Sequence, residues 1–226
     1  MKKFIVLLLF TVFSTISSAH MAHYNNYNKI EMEIFRNGKL IGYSNYFFTR
    51  KGDETIIKNQ TKFSVKILGL TIFRVEGYGE EKYINDQLIS YNSKTFQNDV
   101  KKYVNINFVK DENKFQIKGS SYNGEASVQN IIGNWWNHKI LQTNTQISPI
   151  SGSIKEQVVT FIGKEKINQY GKIYTVDHFT LKSKDMTLPK DKRLDFNIWY
   201  DPKNASIVKV SYSRMGNWEY RLKNFE

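Results

Sequence analysis

Ile30-Glu31-Met32-Glu33-Ile34-Phe35-Arg36-Asn37-Gly38-Lys39-Leu40-Ile41-Gly42 is the stretch that decides the fold. Ile30, Met32 and Ile34 recur at every second position against Glu31, Glu33 and Phe35, which is the period of a strand with one mainly apolar face. Asn37-Gly38 follows at once. Both residues tolerate the positive φ of a type I′ turn, so the chain reverses and Leu40 to Arg50 returns as a second strand.

Outward from this hairpin the pattern repeats. Lys51-Gly52-Asp53 turns into a long strand from Glu54 to Leu68, with Phe63, Val65 and Ile67 alternating against Lys62, Ser64 and Lys66, and Gly69 breaks it. Leu70 to Ile84, Leu88 to Phe96, Lys102 to Lys110 and Phe115 to Lys118 follow in hairpin order, separated by Asn85-Asp86, Asn98-Asp99 and Asp111-Glu112-Asn113. From Gly133 to Pro149 the alternation stops, and residues 135–142 suit one or two helical turns better than a strand. Strands resume at Glu156 to Ile162, Tyr174 to Lys182, Leu194 to Tyr200, Ile207 to Ser213 and Trp218 to Leu222. The expectation is an all-β chain: one large curled antiparallel sheet or open barrel of about 11–12 strands with one short helical segment, because a sheet that wide must curl.

The N-terminus reads as an export signal. Met1-Lys2-Lys3 precedes an apolar run from Phe4 to Phe13, too short for a spanning helix of about 20 residues, and Ser17-Ser18-Ala19 offers a small-x-small cleavage site. Cleavage is expected after Ala19, leaving residues 20–226 as a single exported domain with no later membrane span. The chain has no cysteine, so neither disulfides nor a lipid-modified cysteine are available, and export without bridges points to a bacterial periplasm. The leader from His20 to Tyr27 is expected to fray. The net charge of +12 loses two units when Lys2 and Lys3 leave. It is spread along the chain. Nucleic acid does not fit this compartment; anionic lipid or acidic polysaccharide does, and so does a composition merely biased toward Lys, Asn and Ile. An integral outer-membrane barrel fits poorly, because lysines fall on faces that lipid would touch, at about 2–4 kcal/mol each near the midplane.

Few residues carry chemistry. No Gly-x-Ser-x-Gly elbow is present, and only His138 and His178 fall inside the folded part, so neither a nucleophile set nor a zinc set assembles and no metal or cofactor is implied. His178, beside Val176 on one strand face, reads as structural. Glu76, Glu80 and Glu81 lie along one strand and read as its solvated face, although a distant carboxylate pair for glycoside hydrolysis is not visible in a sequence. Trp135-Trp136-Asn137-His138 is the most distinctive stretch, combining apolar surface with amide and imidazole groups. It suits the entrance of a ligand site or a plug for an open sheet end, and a mobile plug would be a lid. Lys66 to Phe73 is the most apolar stretch after the leader. Bent at Gly69, it is expected as ordinary core; if exposed, Leu68, Leu70 and Phe73 would be a membrane or partner contact.

Across nearly the whole length, from Ile30 to Leu222, the chain resembles an uncharacterised family of exported bacterial β proteins, a domain of unknown function. The resemblance lies in Asn37 to Gly42, in Phe63-Ser64-Val65-Lys66-Ile67-Leu68-Gly69-Leu70-Thr71-Ile72-Phe73, in Trp136-Asn137, in Thr145 through Gly152 and in Ile198-Trp199-Tyr200-Asp201. It implies a periplasmic curved sheet similar to the open barrels of lipoprotein carriers, and it implies no activity. His138 stands where the family pattern often has proline, so no role for this loop carries over. Three functions remain open in order: a non-catalytic carrier of an apolar or envelope-derived ligand such as a lipid, an adaptor docking an envelope protein, and a hydrolase of glycans or esters using His138 or paired carboxylates.

Overall fold

The computed structural model describes Tyr24 and residues 27–226; the signal segment, its cleavage site, His20 and His23 lie outside the described residues. The strands are β1 (Lys29–Arg36), β2 (Lys39–Lys51), β3 (Glu54–Ile67), β4 (Leu70–Ile84), β5 (Gln87–Gln97), β6 (Val100–Val109), β7 (Lys114–Gly119), β8 (Asn123–Ser127), β9 (Ile131–Ile132), β10 (Thr145–Ile147), β11 (Ile154–Gln169), β12 (Lys172–Ser183), β13 (Asp195–Asp201), β14 (Ser206–Ser213) and β15 (Asn217–Phe225). They form one 15-stranded sheet in the order β8 to β1, then β15 down to β9. All neighbours are antiparallel except β9 and β10.

The chain therefore starts mid-sheet, walks to one edge, crosses to the other edge and walks back until β15 lies beside β1. Val128-Gln129-Asn130 makes the crossing, and the four Cα steps from Ser127 to Ile131 reach at most about 14 Å. The two edges are thus held close while no ladder joins them. The sheet is curled, and it is open.

All-β architecture and the curl agree with the sequence pattern; the strand number exceeds it. The short strands β8, β9 and β10 escaped notice because two to five residues are too few to display a period. The helical expectation over 135–142 shrinks to a single 3-10 turn, His138–Leu141. Asn137 starts it, its side-chain oxygen accepting from the Lys139 amide at 3.0 Å.

The inward row of the first half, including Met32, Tyr46, Phe48, Tyr83, Ile106 and Phe115, forms one buried cluster with Ile132, Trp136 and Ile147 of the middle segment. Segment 133–144 runs inside the curl. Tyr24 belongs to the same cluster with no exposure at all, and Tyr27 is buried too, so this end of the expected frayed leader is core.

One element leaves the sheet. The β12–β13 ladder covers Asp177 to Lys182 only, while β11 and β12 stay paired out to Gln169 and Lys172. The outer half of that hairpin thus projects as an arm. Its tip crosses back over the sheet, where Tyr170 donates to Glu33 of β1 at 2.6 Å and the Gln169 amide donates to the Val208 and Leu222 carbonyls at 3.2 and 2.6 Å. Val208 and Lys223 fall at register shifts of β14 and β15, so Gln169 satisfies backbone groups beside irregular pairing.

Candidate functional site

The Trp135–His138 stretch is packed into the curl by identifiable contacts. Gly133 opens it and leaves room for the Gln146 side chain, whose oxygen would lie 1.9 Å from a Cβ there and would have to swing aside. Trp136 is then carried inward to 1 % exposure, edge-on to Tyr24, Phe48 and Tyr83 at 5.1, 5.6 and 6.0 Å between centroids. Its Nε1 donates to Glu81 at 2.7 Å; Asn134 donates to the same oxygen at 2.7 Å, and Tyr83 donates to the other at 2.6 Å. Glu81 is fully enclosed. Burial pushes its carboxyl above the ordinary glutamate range, and the three donors only partly oppose the rise.

The remainder of the stretch is tied just as closely. Trp135 is half-buried against Phe196 and Tyr220, and its amide donates to the Tyr46 hydroxyl at 3.3 Å. His138 is buried, its amide donating to the Tyr24 hydroxyl at 3.0 Å and its Nδ1 lying 2.5 Å from that hydroxyl. Tyr24 thus holds both the backbone and the ring of His138 through one hydroxyl. Buried Gln157 donates to the Ile140 and Thr143 carbonyls at 2.9 Å each. The four residues thus lie together, and they line the inside of the molecule rather than a surface.

Glu81 corrects the sequence reading. Glu76 and Glu80 do lie on the solvated face, paired with Lys62 at 3.8 Å and Lys58 at 3.6 Å, whereas Glu81 falls in the inward row with Val75, Gly77, Gly79 and Tyr83. Strand parity counted from Val75 would have placed it there. The two glycines hid the row, because neither signals apolar burial.

The apolar stretch Lys66 to Phe73 is corrected in the opposite direction. Leu68 is 98 % exposed and Leu70 72 %, with Ile67 and Ile72 about half exposed; Phe73 alone turns toward the base of the hairpin, 6.0 Å from Phe63. Phe63, Val65, Val75 and Trp218 are buried there beneath it. The neighbouring strands stop short, β2 pairing β3 only as far as Phe63 and β5 pairing β4 only as far as Val75, with Asn98 bonding Arg74 just beyond, so residues 66–73 have each other alone as strand partners. Leu68 and Gly69 both have positive φ, +49° and +82°, the type I′ geometry that Asn-Gly fills in the first hairpin.

A third place was not visible in the sequence. Under the arm, Glu165 accepts from Trp199 Nε1 at 2.6 Å and lies 3.1 Å from His178 Nδ1, while the His178 ring stacks on Trp199 at 4.6 Å. Lys209 caps the Trp199 ring at 4.7 Å and pairs with Glu219, as does Arg221. Glu165, Trp199, Lys209 and Arg221 border a cleft of about 370 Å³. Each charge already has its partner, which supports holding the arm down. Among the described residues, no group of three or more His, Asp or Glu is placed to hold a metal ion, and no helix is long and apolar enough to cross a membrane.

A curled antiparallel sheet closed on the inside by a segment of its own chain, with a bare apolar hairpin at one end, defines an open β-barrel-like protein. The chain belongs to the family described as domain of unknown function DUF6134, whose model matches residues 32–223. It is similar in fold to a β-barrel-like protein of domain of unknown function DUF1849 from Brucella abortus, at TM-score 0.57 and 10% identity over 88% of this chain and 95% of that one. Alignment with a DUF1329 family protein from Desulfovibrio piger spans 92% of this chain and 89% of that one at 11% identity, but its TM-score of 0.19 carries no fold argument. No curated protein matches the sequence.

Proposed function

We propose that the protein is a non-catalytic docking protein of the bacterial periplasm, exported by cleavage after Ala19, that holds an envelope component through the Leu68–Leu70 tip. The observation that carries this reading is the tip itself. Leu68, left in water, forgoes about 1.5–3 kcal/mol of burial, Leu70 most of that and the half-exposed Ile67 and Ile72 about half, and Leu68 adds the strain of a left-handed backbone, about 1–2 kcal/mol for a residue other than glycine. Exposed side chains with such costs are retained where something covers them. The test is a photo-crosslinking residue placed at Leu68 in the exporting cell, with one at Asp86, at the opposite end of the sheet, as control. Crosslinks to an envelope component at Leu68 alone are expected; an equal yield at both positions contradicts the reading.

Carriage of an apolar molecule is the second reading, and one observation favours it. Segment 133–144 crosses the curl as irregular chain, so its withdrawal would bare Phe48, Tyr83 and the other aromatic side chains of the concavity, with Trp135, Trp136, Asn137 and His138 at its entrance. Native mass spectrometry of protein purified without detergent tests it. A bound lipid-sized mass that denaturing extraction removes supports carriage; a bare polypeptide mass leaves docking alone.

A further inference from the structure

We propose that the end of the sheet bearing Leu68 is a rim that docks on an anionic lipid bilayer, which rests on the docking reading above and names the partner. Four of the turns at this end carry the rim: Asn37-Gly38 between β1 and β2, Leu68-Gly69 between β3 and β4, Asn98-Asp99 between β5 and β6, and Arg214-Met215-Gly216 between β14 and β15. Hydrogen bonds tie them in two pairs. The Asn37 amide donates to the Asn217 carbonyl at 2.7 Å, the Asn217 amide to the Asn37 side chain at 2.8 Å, and the Asn98 amide to the Arg74 carbonyl at 2.7 Å.

The apolar surface of the tip continues along this rim. Leu40, Val100 and Met215 are 56, 61 and 88 % exposed. Leu68 and Met215 occupy left-handed positions, at φ of +49° and +50°, that Asn37 and Asn98 occupy in the other two turns at +49° and +51°. Asparagine relieves that conformation with its short polar side chain; leucine and methionine do not. Two turns of the same rim thus place a large apolar residue where it is both strained and solvated.

Charge supplies the argument for the partner. The rim stretches 36–41, 66–74, 97–101 and 213–216 hold Arg36, Lys39, Lys66, Arg74, Lys101 and Arg214 against one carboxylate, Asp99. Counted the same way, the far-end stretches 50–54, 84–88, 109–114 and 200–204 hold Arg50, Lys51, Lys110, Lys114 and Lys203 against Asp53, Glu54, Asp86, Asp111, Glu112 and Asp201. The long axis of the sheet therefore runs from a basic apolar end to a nearly neutral one, and an anionic plane orients it tip first. Cations supplied by four separate turns suit a plane better than a groove in a protein partner.

The ribbon also sets a depth. From Phe63 to Ile67 it projects by about 13 Å at 3.3 Å per residue, with outward peptide groups that no neighbouring strand pairs along both edges beyond Arg74. Those groups exclude it from the hydrocarbon centre, where no water satisfies them, and suit it to the interfacial layer of about 5–10 Å that holds monotopic proteins.

Vesicle sedimentation tests the proposal, using the purified full-length exported protein with vesicles of phosphatidylcholine alone and of equal parts phosphatidylcholine and phosphatidylglycerol. Binding to the anionic vesicles alone is expected, weakening as salt is raised. Leu68→Ser with Leu70→Ser should reduce it at least about tenfold, and Lys66→Glu with Arg74→Glu at least about fivefold for each charge removed, while thermal midpoints stay at the wild-type value. No binding to either vesicle, or binding that the leucine pair leaves unchanged, overturns the proposal. If crosslinks at Leu68 persist in the envelope while the vesicles are ignored, docking stands and lipid is the wrong partner. If the crosslinks vanish as well, both fail.

Discussion

Segments 66–73 and 133–141 are the two apolar landmarks of this chain, and they meet opposite fates. Trp136 is 1 % exposed, Leu68 98 %. Hydrophobicity alone does not separate them, because the tip is the more uniformly apolar. What differs is the company each keeps. Trp136 comes with Asn134, Asn137 and His138, whose polar groups find partners in Glu81, the Lys139 amide and Tyr24, so burying the segment leaves few groups unsatisfied. The tip is two strands with no strand on either side, and its unpaired edges hold it in water or at a wet interface. Polar satisfaction decided which apolar segment went inside.

The largest effect expected is on the inner segment. Trp136→Ala removes a fully buried ring with three edge-on aromatic neighbours and leaves a cavity, and should cost about 3–5 kcal/mol in urea unfolding. A loss under about 1 kcal/mol would mean that the segment is not part of the core.

The next effect is a pH dependence. Because the folded carboxyl of Glu81 titrates above its unfolded value, folding takes up a proton, and the stability it contributes is greatest below the unfolded value and falls as pH rises through the folded one. Glu81→Gln keeps the acceptor for Asn134 and Trp136 and cannot titrate. Wild-type stability relative to this variant should therefore increase as pH drops from neutrality toward the ordinary glutamate range. A decrease on acidification would show that the three donors hold Glu81 ionised.

The tip is expected to behave in the opposite way. Leu68→Ser with Leu70→Ser should leave unfolding within about 0.5 kcal/mol of wild type, since nothing in the fold covers either side chain. The smallest effect is a gain: Leu68→Asn should add about a few tenths of a kcal/mol, by giving the left-handed position the residue that Asn37 supplies in the first turn. A clear loss in either variant would mean that the tip packs on the protein itself.

How much of this was legible in the sequence follows the same division. Long strands with a clean period, such as Ile30 to Ile34, Phe63 to Val65 and Val104 to Ile106, declared both their structure and their inward faces, and the Asn-Gly and Asn-Asp turns set the hairpin order. Glu81 was hidden because its row is interrupted by Gly77 and Gly79. Tyr24 was hidden because a single tyrosine in a polar leader gives no period, and the arm because its contacts with Glu33 and Leu222 span 137 and 53 residues. Whether the tip was core or contact turned on where β2 and β5 stop. Local pattern does not contain that.

Peptide-level hydrogen exchange on the full protein, with and without phosphatidylglycerol-containing vesicles, tests the central contrast most directly. Slow exchange is expected over 133–141 in both conditions, and fast exchange over 66–73 that slows only when the vesicles are present. Fast exchange over 133–141 that slows with lipid, with the tip unaffected, would contradict that contrast and make the inner segment the functional one.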